Sequence, residues 1–410
     1  MATLKKYENG LSLIVSTEQA YSTTFAIMIK AGCINETAKN NGISHYIEHM
    51  NFKGTEKLSY YDISNQLEFL GTSYNAYTGF EVTCFHAKSI PENNEKSFEI
   101  MTDMVLNSIY DDEEAEKEKG VIIEEINMSE DTPDDVCHEL VSKAFYGDNG
   151  YGRTILGSAE NVKSFTKNDV KQYLNDNYVA SNMVVSMTGK ITQEEAERLV
   201  EKYLLPFVKT GKPANVPTHN IVNKRQSLYK VKDIEQSHIF LAFPTFTFID
   251  KDKILGNVVS NILGGGMSSR LFTKVREELG LAYSVYCYDE RFVDSGTFKI
   301  YAGVGNDKVD LAYNAIKETI LETQKNITDV EFKKALNTLK AGAIFSQERA
   351  SSSAQAYAKY YLLTGEIYDV QQKIDEIDLV KKDDVIDVIR SINFDDMASA
   401  VVGKYAKPLK

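Results

Sequence analysis

The chain has 410 residues, 43% of them apolar, with 59 acidic against 46 basic side chains and a formal net charge of −13. That length exceeds one typical domain and predicts two or more, each with apolar residues enough for its own core. The acidic balance favours solubility and argues against a nucleic-acid partner, which needs a basic stripe; a negative interior that attracts basic peptides is the sharper reading of it.

The four cysteines, Cys33, Cys84, Cys137 and Cys287, form no C-x-x-C pair and are too few for a disulfide framework, so they read as reduced thiols. The opening Met-Ala-Thr-Leu-Lys-Lys-Tyr-Glu-Asn-Gly has neither an apolar h-region nor an Arg-rich amphipathic pattern. No apolar run reaches the ~18 residues a membrane helix needs. Together these predict a cytoplasmic protein with no membrane partner.

In chain order, Leu11 to Val15 and Thr24 to Ile29 read as strands, the first after a turn at Asn9-Gly10. A short helix follows, opened by Asn41-Gly42 and closed by Gly54, with Ile43, Ile47 and Met50 forming an apolar stripe. His45 and His49 lie four apart on another face, with Glu48 beside them. Two imidazoles one turn apart can grip one metal ion, and the adjacent carboxylate can take a proton from a metal-bound water. This is the H-x-x-E-H order of the inverted zincins.

Tyr60 to Leu70 reads as a helix, then Tyr74 to Thr78 and Glu81 to Ala87 as strands, then Ser97 to Ile109 as a helix. Residues 112–130 make a highly charged helix in which Glu118, Ile122 and Glu125 share a face. Carboxylates in line with an apolar residue suit a metal and its supporting groups, or a solvated face beside Val121 and Ile122.

Pro206, Pro213 and Pro217 mark a linker at residues 212–223. The halves on either side resemble each other. Ser12-Leu13 matches Ser227-Leu228 and Lys167/Asp169/Val170 matches Lys382/Asp384/Val385, both 215 residues apart; Gly189-Lys190 matches Gly403-Lys404 at 214. A nearly constant offset predicts an internal duplication. The fold class expected is α+β: two homologous domains, 1–211 and 224–410, each a mainly antiparallel sheet packed with helices. At that offset His45 maps to Ser260, His49 to Gly264 and Glu125 to Lys340, so the second copy cannot hold a metal in this way.

Gly42-Ile-Ser-His45-Tyr-Ile-Glu48-His49-Met-Asn-Phe-Lys-Gly54-Thr55 resembles the signature of the pitrilysin/insulysin metallopeptidases. In that family the two histidines and a distal glutamate bind zinc, and the glutamate sits in a segment like Val-Ile-x-x-Glu-Ile. Here Val121-Ile-Ile-Glu-Glu-Ile126 puts Glu125 76 residues beyond His49. The resemblance implies Zn2+ on His45, His49 and Glu125, with Glu118 as a supporting carboxylate and Glu48 as the base. Glu124 is the alternative ligand, although helix geometry turns it some ~100° away.

Asn75-Ala76-Tyr77-Thr78 resembles the family's strand beside the active site, which implies substrate contact; otherwise Asn75 is a strand-end polar residue. Gly264-Gly265-Gly266-Met267-Ser268-Ser269-Arg270-Leu271 resembles the glycine-rich loop of the processing-peptidase branch, implying substrate binding at Gly265 and Gly266. No Gly-Lys-Ser/Thr follows it, so it is not a phosphate loop, and a flexible connection is the plain reading. Arg276 and Tyr283 resemble the family's Arg/Tyr pair opposite the zinc; read without the resemblance they are a solvated helix residue and a core aromatic. The chain carries one double-domain unit, so it matches the short branch, whose members close a chamber by pairing chains.

The expected function is therefore a zinc endopeptidase acting on peptides or unfolded segments, as a homodimer. The alternatives are a non-catalytic partner or scaffold subunit of this fold and a metal-independent binding module.

Overall fold

A computed structural model describes residues 2–214, 225–347 and 350–409, with the side chains of 347 and 350–352 left aside. Most of the linker expected at 212–223 lies outside the described residues.

The strands are β1 (Thr3–Lys6), β2 (Ser12–Thr17), β3 (Thr23–Ile29), β4 (Ser73–Thr78), β5 (Thr83–Ser89), β6 (Met183–Gly189), β7 (Ser227–Val231), β8 (Gln236–Pro244), β9 (Ala282–Arg291), β10 (Gly296–Gly305) and β11 (Ala398–Gly403). They form two sheets, ordered β1-β2-β6-β3-β5-β4 and β7-β11-β8-β10-β9. Each sheet has one parallel join, β2/β6 and β7/β11, and is antiparallel elsewhere. The registers repeat as well: Ser12 faces Val184 and Ser227 faces Ser399, both displaced by 215 (227 − 12 and 399 − 184). The expected α+β duplication is thus present in the strand order and in the pairing itself.

In the first half, the helices that matter are α1 (Ile43–Met50), α2 (Tyr60–Phe69), α3 (Asn94–Asn107), α4 (Asp112–Asp131) and α5 (Pro133–Tyr146). β3 is buried throughout, as a central strand covered on both faces must be. Phe25, Ile27 and Ile29 join the main core with Ile43, Ile47, Met50, Phe98 and Ile122. Alternation sends Ala26 and Met28 to the opposite face, where helix Ala350–Thr364 packs on β3 and β6. Ala354 and Ala358, four apart and fully buried, permit that close approach.

Two compact units result, and they interleave along the chain. One is Met1–Ile126, Thr154–His219 and Ser346–Tyr368; the other is Asn127–Arg153, Asn220–Phe345 and Asp369–Lys410. Helix α5, from the first half of the sequence, packs on β8 and β11 of the second sheet, and helix Ala350–Thr364 from the second half packs on the first. Cys137, Val141 and Ala144 on α5 are buried, and the Cys137 thiol donates to the His238 carbonyl at 3.2 Å. All four cysteines are free and buried.

Candidate metal centre

Helix α1 begins at Gly42, whose φ of +97° is left-handed. A Cβ there would lie 2.7 Å from the Leu156 carbonyl oxygen, so glycine is required twice over, by conformation and by space. Ahead of it stands Glu36, fully buried. Its Oε2 accepts from the Gly42 N–H at 2.8 Å and its Oε1 from the Ser44 N–H at 2.9 Å, which satisfies donors the helix leaves open. Burial pushes the Glu36 carboxyl above its usual range, and these donors oppose that shift.

The apolar stripe Ile43, Ile47 and Met50 is buried and fixes the rotation of α1. His45, His49 and Glu125 consequently converge, with one ligand atom from each all within 4.8 Å of one another. Glu125 Oε2 lies 3.6 Å from His45 Nε2 and 3.4 Å from His49 Nε2. Zinc–nitrogen and zinc–oxygen bonds of about 2.1 Å, set tetrahedrally, separate ligand atoms by roughly 3.4 Å, so the donor set fits the ion in chemistry and both glutamate–histidine separations fit it in size. Glu124 is exposed and stands outside the cluster.

The groups around the cluster orient it. His49 Nδ1–H donates to Glu118 Oε1 at 2.9 Å, leaving the Nε2 lone pair for a metal. Glu118, on α4, is 5% exposed, and its Oε2 pairs with Lys53 Nζ at 2.5 Å. Burial would raise the Glu118 carboxyl, but His49 and Lys53 together hold it below its usual range. Burial and the nearby His49 push His45 down to about 4. His49 is also desolvated, yet its bonds to Glu118 and Glu125 outweigh this and lift it to about 9. The cluster thus favours a positive charge among its acids, the charge a metal would supply in exchange for a proton.

Glu48 is not one of the three clustered ligands but interacts electrostatically with His49 and Glu125. Its Oε2 accepts from Thr78 Oγ1 at 2.6 Å, and burial raises its carboxyl pKa. Thr78 closes β4, the edge strand of the first sheet. On the same strand Asn75 is exposed and Ala76 buried, and the Ala76 N–H is taken by the Asn75 Oδ1 at 2.9 Å. Tyr77 faces Cys84 across the β4/β5 ladder.

The remaining expected residues belong to the second unit, whereas the cluster belongs to the first. Gly265 caps helix Lys253–Gly264, and Met267 just beyond it is 80% exposed. The Arg276 guanidinium carbon lies 5.0 Å from the Tyr283 ring centre and 4.7 Å from that of Phe272, so Arg276 and Tyr283 are brought together by stacking. Tyr283 is 77% exposed, which corrects its residue-level reading as a core aromatic. Sequence reasoning missed Glu36, Lys53 and Thr78. Lys53 carries a signal, standing four residues after His49 where a buried Glu118 needs a cation; Glu36 carries none that local pattern reveals.

Residues 12–159 match the profile described as Insulinase (Peptidase family M16), and residues 164–339 match that described as Peptidase M16 inactive domain. A Bacillus subtilis protein described as an uncharacterized zinc protease is 34% identical over 97% of this chain and 98% of its own. The chain belongs to the M16 insulinase peptidase family. A Rickettsia felis uncharacterized zinc protease is 32% identical over 98% and 97% of the two chains, and the beta subunit of the Saccharomyces cerevisiae mitochondrial-processing peptidase 28% over 93% and 86%. A solved protease from Helicobacter pylori superposes with a TM-score of 0.91 at 22% identity, covering 98% and 99%, which speaks for the fold. The M16 profile described as inactive falls mainly on the half without ligands. Among the described residues, no helix is long and apolar enough to cross a membrane.

Proposed function

We propose that this M16 chain is a zinc-dependent endopeptidase that cleaves peptides or unfolded segments. The observation that carries the reading is the convergence of His45, His49 and Glu125, with Glu125 Oε2 3.6 and 3.4 Å from the two imidazole nitrogens and Glu48 near enough to interact with the charges of His49 and Glu125. Zinc bound there would supply a Lewis acid that acidifies a water and polarises the scissile carbonyl.

The chain's own residues do the rest. Glu48 takes a proton from the attacking water as its oxygen joins the carbonyl carbon, then delivers that proton to the amine nitrogen as the C–N bond breaks. Its burial, which raises the carboxyl, suits it to carry the proton. Thr78 fixes one Glu48 oxygen and leaves the other for the water. Glu118 and Lys53 hold His49 in the ligating tautomer. The free edge of β4, with Asn75, Ala76 and Tyr77, suits a substrate that adds as a strand, held through its main chain with little sequence demand.

The reading extends to a homodimer in the cytoplasm in which a second copy supplies Arg276, Tyr283 and the Gly265-Gly266 loop to each zinc site. The processing-peptidase relative is named as a subunit, so a related chain is the alternative partner.

The test is Glu48→Gln. The variant should keep its zinc and its fold while turnover of an unstructured peptide falls by roughly 10²-fold or more. Undiminished turnover at full zinc content would overturn the role given to Glu48.

A further inference from the structure

A cavity of about 290 Å³ opens in the first unit between the chain ahead of α2, the outer side of α3 and the end of helix Gln193–Tyr203. That volume is at the lower end for small-ligand pockets. None of the residues lining it belongs to the metal cluster.

Leu58, Ile100, Tyr203 and Phe207 give it an apolar and aromatic side, and polar and charged side chains line the rest. Asp103 lines it too and is 7% exposed. Asp103 Oδ1 accepts from Asn107 Nδ2 at 2.9 Å, while Oδ2 is buried and has no hydrogen-bond partner among the described residues. A carboxylate shielded from water with half its acceptor capacity unused is costly unless a cation reaches it. The chain offers one of its own: Lys57 Nζ is 3.8 Å from Asp103 Oδ1 and 5.7 Å from the Phe207 ring centre. Yet the Lys57 side chain remains 66% exposed and makes that approach beyond hydrogen-bond distance. It sits at the mouth as a loose stopper. Of the other lysines at the rim, Lys96 is taken up by Glu99 and Lys202 by Glu95.

We propose that this cavity is a binding site for an organic cation, an ammonium or guanidinium group carried by a small amine or by a lysine or arginine side chain. The incoming cation displaces Lys57, pairs with the Asp103 carboxylate in its place and lies against the Phe207 face, while its alkyl stem meets Leu58 and Ile100.

Isothermal titration calorimetry of the full chain tests this, with putrescine as a free diamine and N-acetyl-lysine methylamide as a peptide side chain. Whichever of the two binds more tightly identifies the source of the cation. Asp103→Asn should weaken binding by about tenfold or more, because a charge-assisted hydrogen bond is lost. Lys57→Ala should tighten it several-fold, a gain that misfolding cannot produce. Phe207→Ala should weaken it by about threefold through the lost cation–π contact. Unchanged affinity in Asp103→Asn, or no saturable binding of either probe to the wild type and to Lys57→Ala, would overturn the proposal.

Discussion

Replacing Glu36 by alanine tests whether the helix bearing the two histidines is held at its first turn by a buried carboxylate. Glu36 accepts from the Gly42 and Ser44 N–H groups and from Asn41 Nδ2, at 2.8, 2.9 and 2.9 Å. All four residues are buried, so water cannot fully replace the lost acceptor. Each buried donor left unpaired costs roughly 1–3 kcal/mol, and some relaxation lowers the sum. Asn41 Nδ2 keeps the Thr154 carbonyl at 2.9 Å, so the loss falls mainly on the two helix N–H groups and is expected at about 3–5 kcal/mol. An eight-residue helix has no stability of its own to absorb it.

The loss should be local first. Native-state hydrogen exchange of peptides covering residues 36–50 reads the opening of α1 directly. At 1.4 kcal/mol per tenfold, exchange in Glu36→Ala should quicken by about 10²-fold or more. Glu36→Gln keeps one acceptor oxygen and should fall between the two. If the α1 amides of Glu36→Ala exchange within about threefold of wild type, the carboxylate is not what holds the helix start.

Two further outcomes follow from other parts of the chain. Lys299 on β10 is fully buried and donates to Glu290, His138 and Ser142; burial would raise the Glu290 carboxyl, but Lys299 and His138 hold it down to about 2. A depressed carboxylate stabilises above its unfolded pKa and loses that contribution as pH falls toward the folded one, so Glu290→Gln should cost ~3 kcal/mol at pH 7 and flatten the acid decline between about pH 4.5 and 2; an equal deficit in thermal melts at both ends of that window would count against it. Mixing Glu48→Gln chains with Arg276→Ala/Tyr283→Phe chains under subunit exchange should restore peptidase activity, since one site of each mixed dimer is then intact; no recovery, with a wild-type/triple-variant mixture staying proportional to wild-type chains, would exclude completion in trans.

What could be read from residues alone was whatever is local or repeats. His45 and His49 share a face because they are one turn apart, and Ile43, Ile47 and Met50 say which way that face turns. The duplication was visible as a fixed offset, and the two sheets repeat it in register. The exchange of α5 and helix Ala350–Thr364 between the sheets was not legible. An amphipathic pattern tells that a helix covers something, but the alanines at 354 and 358 do not say which sheet they meet. The buried Lys299 was equally hidden, because His138 and Ser142 reach it from α5, 161 and 157 residues away, and Glu290 meets it only once the β9/β10 ladder has formed. Thr78 was quoted with its strand but not as a partner of Glu48, since a contact across 30 residues leaves no periodic trace.

The same frame built twice shows why the ligand cluster has no counterpart in the second half among the described residues. Helix Lys253–Gly264 occupies in the second unit the place in the chain order that α1 holds in the first, between the second and third strands of the repeat. There Ser260 replaces His45, and its hydroxyl donates to Asp289 Oδ2 at 2.6 Å, tying the helix to β9. Gly264 replaces His49, and a Cβ at that point would lie 2.5 Å from the Cys287 nitrogen. The helix has thus closed onto β9 over the place where an imidazole would need to stand. Lys340, opposite in the count to Glu125, is committed to Asp378. The second copy therefore lacks more than ligands: its helix packs closely on β9, and a side chain placed at Gly264 would meet backbone there.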